Sequence, residues 1–307
     1  MKKTIFILTA LLLFVACRQK PKAETDTLTS GGILLACADN FQNIINAQID
    51  VFSMHYQQAF IFPLYVSESE AIRMLIDDTL RIVITSRDLN AAENQRLKQS
   101  QVIRKYLFAF EGIAIVANHE NQDTVLSVST LKKILLGEIT EWKQINPKSN
   151  LGEIKVLFDS KETTILNYLV DSITQTAENI SQNLFYAKGV GDLCDRIAKQ
   201  PNAIGILGYN QIGNEHTRAY REFTSKTHFI WIAKDENSKP TLPYAGDLNS
   251  GEYPLWRPIY VLLGETRNGL PKGFCYFLTQ EVGQKIILKA GLMPISDPQN
   301  MYVQITE

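Results

Sequence analysis

Strand-like and helix-like patterns alternate along this chain from Gly31 onward, and this alternation constrains the fold more than any other feature. A short apolar run at residues 33–37 precedes a segment whose apolar residues recur with helical spacing between Phe41 and Phe52. A second strand pattern follows at residues 59–66, where Pro63 indicates an edge strand or a bend. The alternation predicts an α/β fold in which a mostly parallel sheet is covered by helices.

The same alternation continues and begins again in a second unit. Ser67 and Glu70 match a capping box before a helix, and residues 81–85 form a third strand pattern rich in β-branched residues. Residues 106–118 are a long, nearly continuous apolar run. The later patterns are helices at 130–136, from Thr163 and at 192–199, strands at 154–158, 203–207, 229–233 and 260–263, a loop at 240–254, and helices at 273–278 and 281–290 with Gly291 as a C-terminal cap.

The first residues have the layout of a bacterial secretory signal. Lys2 and Lys3 precede an apolar run at residues 5–15, which is too short to span a bilayer comfortably as a helix. Ala16 and Cys17 then match a lipoprotein cleavage site, and the alternative is an ordinary signal peptide whose apolar region ends in cysteine. We predict a lipoprotein signal peptide at residues 1–17, with Cys17 lipidated, and a flexible polar tether at residues 18–30. Two or more acyl chains would hold the protein on a membrane of the cell envelope, facing the periplasm.

The charge balance and the scattered cysteines and histidines exclude several classes of function. The 31 basic and 32 acidic side chains give a net charge of -1, which provides no overall field to gather nucleic acid. Beyond Cys17, the widely spaced Cys37, Cys194 and Cys275 predict buried thiols rather than a disulfide framework. The four histidines lack metal-ligand spacing, and no catalytic constellation is visible. We therefore expect no metal, no cofactor and no enzymatic activity.

Five segments carry a family resemblance: Gly112 to Asn118, Leu131 to Trp142, Ala203 to Tyr209, Tyr253 to Val261, and Gly283 to Pro294. Together, and in this order, they resemble the phosphate-binding proteins of ABC importers, a PstS-like branch of the type 2 periplasmic binding proteins. Each segment alone is a weak match, but the five cover nearly the whole mature chain. The sequences of these segments also resemble the lipoprotein members of this family in bacteria with Bacteroides-type envelopes.

This resemblance implies two lobes joined by two crossover strands, each lobe being a mostly parallel sheet flanked by helices. Lobe one would comprise residues 28–112 and 258–307, and lobe two residues 113–257. The crossovers would be residues 112–118 and 253–261. A small oxyanion, phosphate first, would bind between the lobes of a monomer and be delivered to the permease of an ABC importer.

Anion binding in such a cleft rests on strand-to-helix turns, where unpaired backbone N–H groups and the helix dipole point at the ligand. Three turns of this chain precede well-patterned helices, although plain helix capping is the alternative explanation for each of them. The resemblance implies that the three turns meet at one cleft. The residues predicted to bind the ligand are Asp39, Asn40, Ser67, Glu68, Ser69, Arg87, Asp159, Ser160, Lys161, Thr163 and Thr164.

The turns depart from the family pattern at three positions. Glu68 stands in a turn that is normally Gly-Ser-Gly, where an acidic side chain would repel an anion. Arg81 stands where the family has an Asp that accepts the proton of hydrogen phosphate, and Leu157 stands where it has an Arg. Lys161 or Arg81 is a candidate for the missing positive charge. These departures leave open an alternative function, a sensor or partner-recruiting module on the same fold with a different ligand or none.

Overall fold

The structure is a computed structural model that describes residues 26–98, 101–161, 164–176, 180, 183–213 and 215–296. The predicted signal peptide, Cys17, most of the predicted tether and Thr163 lie outside the described residues.

Strands and helices alternate as the apolar pattern predicts. The strands are β1 Gly31–Ala38, β2 Ala59–Val66, β3 Ile82–Thr85, β4 Arg104–Asn118, β5 Val125–Ser127, β6 Lys155–Phe158, β7 Leu184–Tyr186, β8 Ala203–Gly208, β9 Thr227–Phe229, β10 Trp231–Ala233, β11 Trp256–Leu263 and β12 Met293–Pro294. The α-helices are α1 Gln42–His55, α2 Glu68–Ile76, α3 Ala91–Gln95, α4 Val128–Leu135, α5 Thr164–Leu169, α6 Val190–Lys199, α7 Arg218–Thr224, α8 Ala245–Asn249, α9 Leu270–Thr279 and α10 Glu281–Lys289. Short 3-10 turns lie at Asp39–Phe41, Trp142–Gln144 and Tyr209–Gln211, and a π-helix at Val170–Thr174 extends α5.

The main sheet is divided into two halves by its two longest central strands. Its strand order is β2-β1-β3-β11-β4-β8-β6-β7. β1 pairs in parallel with β2 and β3, and β6 pairs in parallel with β7 and β8. β4 is antiparallel to β11 along its first part and antiparallel to β8 from Ile113 onward. A single 15-residue strand therefore runs from one half of the sheet into the other.

Helices cover both faces of each half, which explains why so many strands read as continuous apolar runs. Along β1, Leu35 and Cys37 enter one core cluster while Ala36 enters the cluster on the opposite face. Along β4, Ile113 and Ile115 alternate with neighbours that pack on the other side. The predicted buried thiols are confirmed at Cys37, Cys194 and Cys275.

Most element predictions are confirmed, and three need correction. The capping box before α2 is only half formed, because Ser67 Oγ accepts from Glu70 N while the Glu70 carboxylate pairs with Arg73. The strand predicted at 229–233 is divided into two strands at Ile230. β9, which ends before this residue, pairs with β4, whereas β10, which begins after it, pairs with β5. The loop predicted at 240–254 contains α8, a short helix formed around the buried Leu248.

Candidate functional site

A fully buried ion pair lies where the two central antiparallel strands run side by side. Arg257 on β11 is opposite Glu111 on β4, and neither side chain has exposed surface. Arg257 Nε donates to Glu111 Oε2 at 2.7 Å, and Nη2 lies 2.7 Å from the same oxygen. Because an unpaired buried charge is far more costly than a paired one, each of these side chains requires the other.

Three further groups, from separate parts of the chain, contact the Arg257 guanidinium. Its Nη1 donates to Ser86 Oγ at 3.3 Å and to Thr164 Oγ1. Its Cζ lies 5.4 Å from the centroid of the Phe41 ring, which is a cation–π distance. Phe41 follows β1, Ser86 follows β3, and Thr164 begins the helix after β6. One buried cation therefore joins the carboxyl ends of three strands that belong to both halves of the sheet.

Glu68, in the second predicted turn, directs its carboxylate toward Ser86. Glu68 Oε1 accepts hydrogen bonds from Ser86 N and from Ser86 Oγ, the latter at 2.9 Å, and Oε2 lies 3.5 Å from Arg87 Nε. Arg87 also forms a bidentate pair with Glu93 at 2.7 and 2.8 Å, which lowers the pKa of the Glu93 carboxyl. The negative charge of Glu68, which was expected to repel an anion, is thus compensated by Arg87. Its Oε1 already accepts two hydrogen bonds from Ser86.

The two serines of the second turn differ in position. Ser67 is the N-cap of α2, and its Oγ accepts from Glu70 N at 3.3 Å. Ser69 is exposed on the first turn of that helix. The Ser67 hydroxyl keeps its proton for a second hydrogen bond, because capping uses only the oxygen as an acceptor.

The third predicted turn places Asp159 inside the protein and Lys161 on its surface. Asp159 is buried after β6, where Oδ2 accepts from Gln211 Nε2 at 2.7 Å and Oδ1 accepts from Ser160 N at 3.1 Å. Lys161 is exposed, and Thr163 is not among the described residues. This turn therefore contributes hydrogen-bonding groups near the cation, while its own lysine faces solvent.

Two asparagines near the ion pair carry buried polar atoms that are not satisfied. Both amide atoms of Asn40 are buried and have no hydrogen-bond partner among the described residues, whereas Asp39 beside it is exposed. Asn210 Nδ2 donates to Glu111 Oε1, and Asn210 Oδ1 is buried without a partner in the described part of the chain. A buried polar group left without a hydrogen bond costs about 1–3 kcal/mol. Both side chains therefore offer contacts that a polar ligand can complete.

Burial dominates the ionisation of Glu111. Desolvation raises the pKa of the Glu111 carboxyl above its ordinary value, because the charge of Arg257 and the hydrogen bonds from Arg257 and Asn210 offset only part of that effect, and Asp159 adds repulsion. The carboxylate is also closely enclosed, since a Cβ at Gly208 would overlap it. The site is thus a cation surrounded by acceptors and short hydroxyl and amide groups.

The residues of this cluster that the sequence analysis did not identify are Arg257, Glu111 and Asn210. A usable signal existed for two of them, because Arg257 and Glu111 are single charges within runs that are otherwise apolar. Charged side chains are almost never fully buried unless they are paired, so two such charges on neighbouring strands indicate a buried pair.

Neither candidate for the missing positive charge is a buried cation of this cluster. Arg81 is 55% exposed, and its Nη1 lies 3.4 Å from Glu265 Oε1 at a different place on the sheet. Lys161 faces solvent. The buried cation comes instead from Arg257 on a central strand, because the turns themselves hold no buried basic side chain among their described residues.

The described ranges contain neither a candidate metal centre nor a candidate membrane-spanning helix. No group of three or more His, Cys, Asp and Glu side chains there has the arrangement to hold a metal ion. None of the helices in those ranges combines the length and the apolar character that a membrane span requires.

Comparison with known sequences finds a family and several relatives. A family model described as the PBP superfamily domain matches residues 22–282. The phosphate-binding protein PstS of Borreliella burgdorferi is 24% identical over 232 residues, which cover 74% of this chain and 77% of that protein. PstS of Bacillus subtilis is 22% identical over 278 residues, covering 90% and 84%. PstS of Staphylococcus saprophyticus is 25% identical over 201 residues, and the match spans only 57% of its length.

Solved structures give the same result at the level of the fold. A protein described as a phosphate ABC transporter substrate-binding protein with bound phosphate, from Clostridium perfringens, superposes with a TM-score of 0.70 at 19% identity, covering 87% of this chain and 100% of that one. An ABC-type phosphate transport receptor from Vibrio cholerae gives 0.67 at 20% identity, covering 85% and 99%. Likeness at this identity shows the fold alone, and it confirms the predicted two-lobe α/β architecture.

The ion pair generates a direct prediction about stability. We expect Arg257→Met to lower the free energy of unfolding by about 3–5 kcal/mol, because it leaves Glu111 as an uncompensated buried group. Adding Glu111→Leu to that variant should recover much of the loss, since an apolar pair has no charge to desolvate. The measurement is urea denaturation followed by circular dichroism.

Arg73→Met is the matched control, since Arg73 pairs with Glu70 and Asp77 on the surface of α2. We expect its denaturation midpoint to match that of the wild type. Equal midpoints for Arg257→Met and Arg73→Met would contradict the structural role of the buried pair.

Proposed function

Because this chain belongs to the PBP superfamily, we propose that it captures an oxyanion, phosphate first, between two lobes and delivers it to an ABC importer. The observation that carries the proposal is the meeting of three strand-to-helix turns, from both halves of the sheet, around the buried Arg257. The curated relatives that support it are named as phosphate-binding proteins and not as enzymes. Such binding proteins act outside the cytoplasm, which agrees with the signal-like N-terminus.

The groups around Arg257 match the needs of a small oxyanion. The Thr164 hydroxyl accepts from Arg257 and keeps its own proton to donate without adding charge, and Asn40 supplies a buried amide that has no hydrogen-bond partner among the described residues. Arg257 supplies a guanidinium, the side chain best suited to forked recognition of phosphate. An arriving anion would replace part of the contact between Arg257 and Glu111, and the raised pKa of Glu111 makes protonation of that carboxylate easier.

Buried carboxylates near the cation favour phosphate over sulfate in this proposal. Glu111 and Asp159 are buried carboxyl groups whose ionised oxygens accept and cannot donate hydrogen bonds, so they disfavour a ligand that has no proton to donate. Phosphate at neutral pH carries at least one hydrogen, and sulfate carries none. This chemistry would take the place of the Asp that the family has at the position of Arg81.

Lobe closure would use the central strands as hinges. We propose the lobe limits 28–112 with 258–307, and 113–257. In support, separate core clusters lie on the two sides, one set including Phe52 and Phe274 and the other Trp142 and Phe158. β4 and β11 are the strands about which the lobes would rotate to trap the ligand, as in other hinge-type binding proteins.

Isothermal titration calorimetry tests the ligand proposal. We expect lipid-free wild-type protein to bind phosphate as a monomer, and sulfate at least tenfold more weakly. Thr164→Val should weaken phosphate binding by about 10- to 100-fold, because a hydrogen bond to a charged group contributes about 1.5–3 kcal/mol.

The matched control is Thr279→Val, since the Thr279 hydroxyl bonds only to carbonyls of its own helix α9. It should leave the affinity for phosphate unchanged. Absence of both heat and thermal shift with millimolar phosphate would remove phosphate as the ligand and favour the sensor or partner-recruiting alternative. A strain that lacks this gene can be tested for uptake of labelled phosphate. Uptake that is restored by the wild type, and not by Thr164→Val, would support a role in phosphate import.

The membrane anchor has its own test. We propose that Cys17 carries the lipid, and the support is the apolar run at residues 5–15 followed by Ala16 and Cys17. The tether would be shorter than the predicted residues 18–30, because Asp26 accepts from Leu270 N and pairs with Arg267. In a bacterial host, wild-type protein should partition into the detergent phase of Triton X-114 and show the mass of acyl chains on Cys17. Cys17→Ser should remain unlipidated in the aqueous phase. Recovery of mature wild-type protein without acyl mass would rule the anchor out.

A further inference from the structure

A cavity of about 510 Å³ opens beside the candidate site, between α1, the end of α10 and the segment that follows β8. Much of its wall is apolar, formed by side chains such as Val51, Ala47, Ile212, Ala219 and Ile286. α1 and α10 belong to one half of the sheet and Ile212 and Ala219 to the other, so the cavity lies between the halves.

The polar part of the cavity wall adjoins the cluster around Arg257. Asn210 and Gln211 line it, and these are the side chains that donate to Glu111 and to Asp159 respectively. Asn210 is only 5% exposed, and its Oδ1 has no partner among the residues that the structure describes. A buried acceptor without a hydrogen bond therefore sits where the charged cluster and the apolar cavity meet.

The size and chemistry of this space do not match a bare inorganic anion. A tetrahedral oxyanion occupies no more room than a few water molecules, each of which takes up about 30 Å³ in the liquid. Apolar walls with a few convergent polar groups are typical of sites for organic ligands of about 300–1,000 Å³. The buried polar cluster and the adjoining, largely apolar cavity together suit a molecule that has an anionic head and an apolar group.

We propose that the ligand of this cleft is an organic oxyanion, a phosphate monoester or a phosphonate, whose anionic head lies at Arg257 and whose alkyl or aryl group occupies the cavity. The ester or phosphonate carbon would leave the cluster past Asn210, whose unpaired Oδ1 accepts a hydrogen bond from a protonated head group or from a polar substituent. This inference rests on the proposed function, because it assigns the class of oxyanion bound at the same site.

The test compares the affinities of inorganic phosphate, methyl phosphate, n-butyl phosphate and phenyl phosphate for the full mature chain by calorimetry. We expect affinity to rise from methyl to n-butyl phosphate by about fourfold for each methylene that enters the cavity. Ala47→Phe and Ala219→Phe fill the cavity from opposite walls. Each should reduce the affinity for n-butyl and phenyl phosphate to that for methyl phosphate, with inorganic phosphate affected less than twofold.

Ala92→Phe is the matched control, because Ala92 is exposed on α3, which does not line the cavity. It should leave the whole series unchanged. The partly exposed Ala219 makes its variant the safer of the two to fold. Circular dichroism and a melting curve establish the folded state of each variant.

The outcomes separate this inference from the function on which it rests. Inorganic phosphate could bind tightly while no organic group raises the affinity and neither filling variant changes it. That result would overturn the proposal of an organic ligand and leave the proposal of phosphate capture intact. Failure of every phosphate compound to bind would overturn both. Light scattering could instead show dimers that form with rising protein concentration and that Ala219→Phe abolishes. That result would overturn the proposal of an organic ligand and indicate that a second copy of the chain occupies the cavity.

Discussion

The buried pair between Arg257 and Glu111 is the interaction on which the site depends. Both residues belong to strands that lie between the halves of the sheet, and their register places the two charges directly opposite each other. The guanidinium has more donors than Glu111 can use, so it also reaches hydroxyls on either side. A cation held in this way is positioned by the backbone pairing and not by the flexible turns.

The overall architecture can be predicted from the sequence because it follows from the spacing of apolar residues. The runs at β1, β3, β4 and β8 are apolar on both faces, as strands covered by helices on both sides must be. Composition alone fails where one buried side chain decides the outcome. Leu248 is buried in the core from a short helix within a segment rich in loop-forming residues, and at Ile230 the pairing changes from β4 to β5.

The candidate site can be predicted only in part from the sequence, for a physical reason. The turns containing Asn40, Glu68 and Thr164 could be predicted because helix starts have a local pattern. Phe41, Ser86 and Thr164 connect these turns to the cluster around Arg257. The charge that joins them is not local, since its position depends on which strands pair and in which register. Leu157 is an ordinary core residue of β6, and the buried basic side chain of the cluster is Arg257 on β11.

The central claim is that an oxyanion binds where the three turns meet at Arg257. Crystals grown with arsenate, a tetrahedral oxyanion with a strong anomalous signal, test this directly. The account predicts an anomalous peak between the two halves of the sheet, with its oxygens within hydrogen-bonding distance of Arg257 and Thr164. A peak found only on the outer surface, or no peak in crystals whose Arg257 and Glu111 are paired as described, would contradict it.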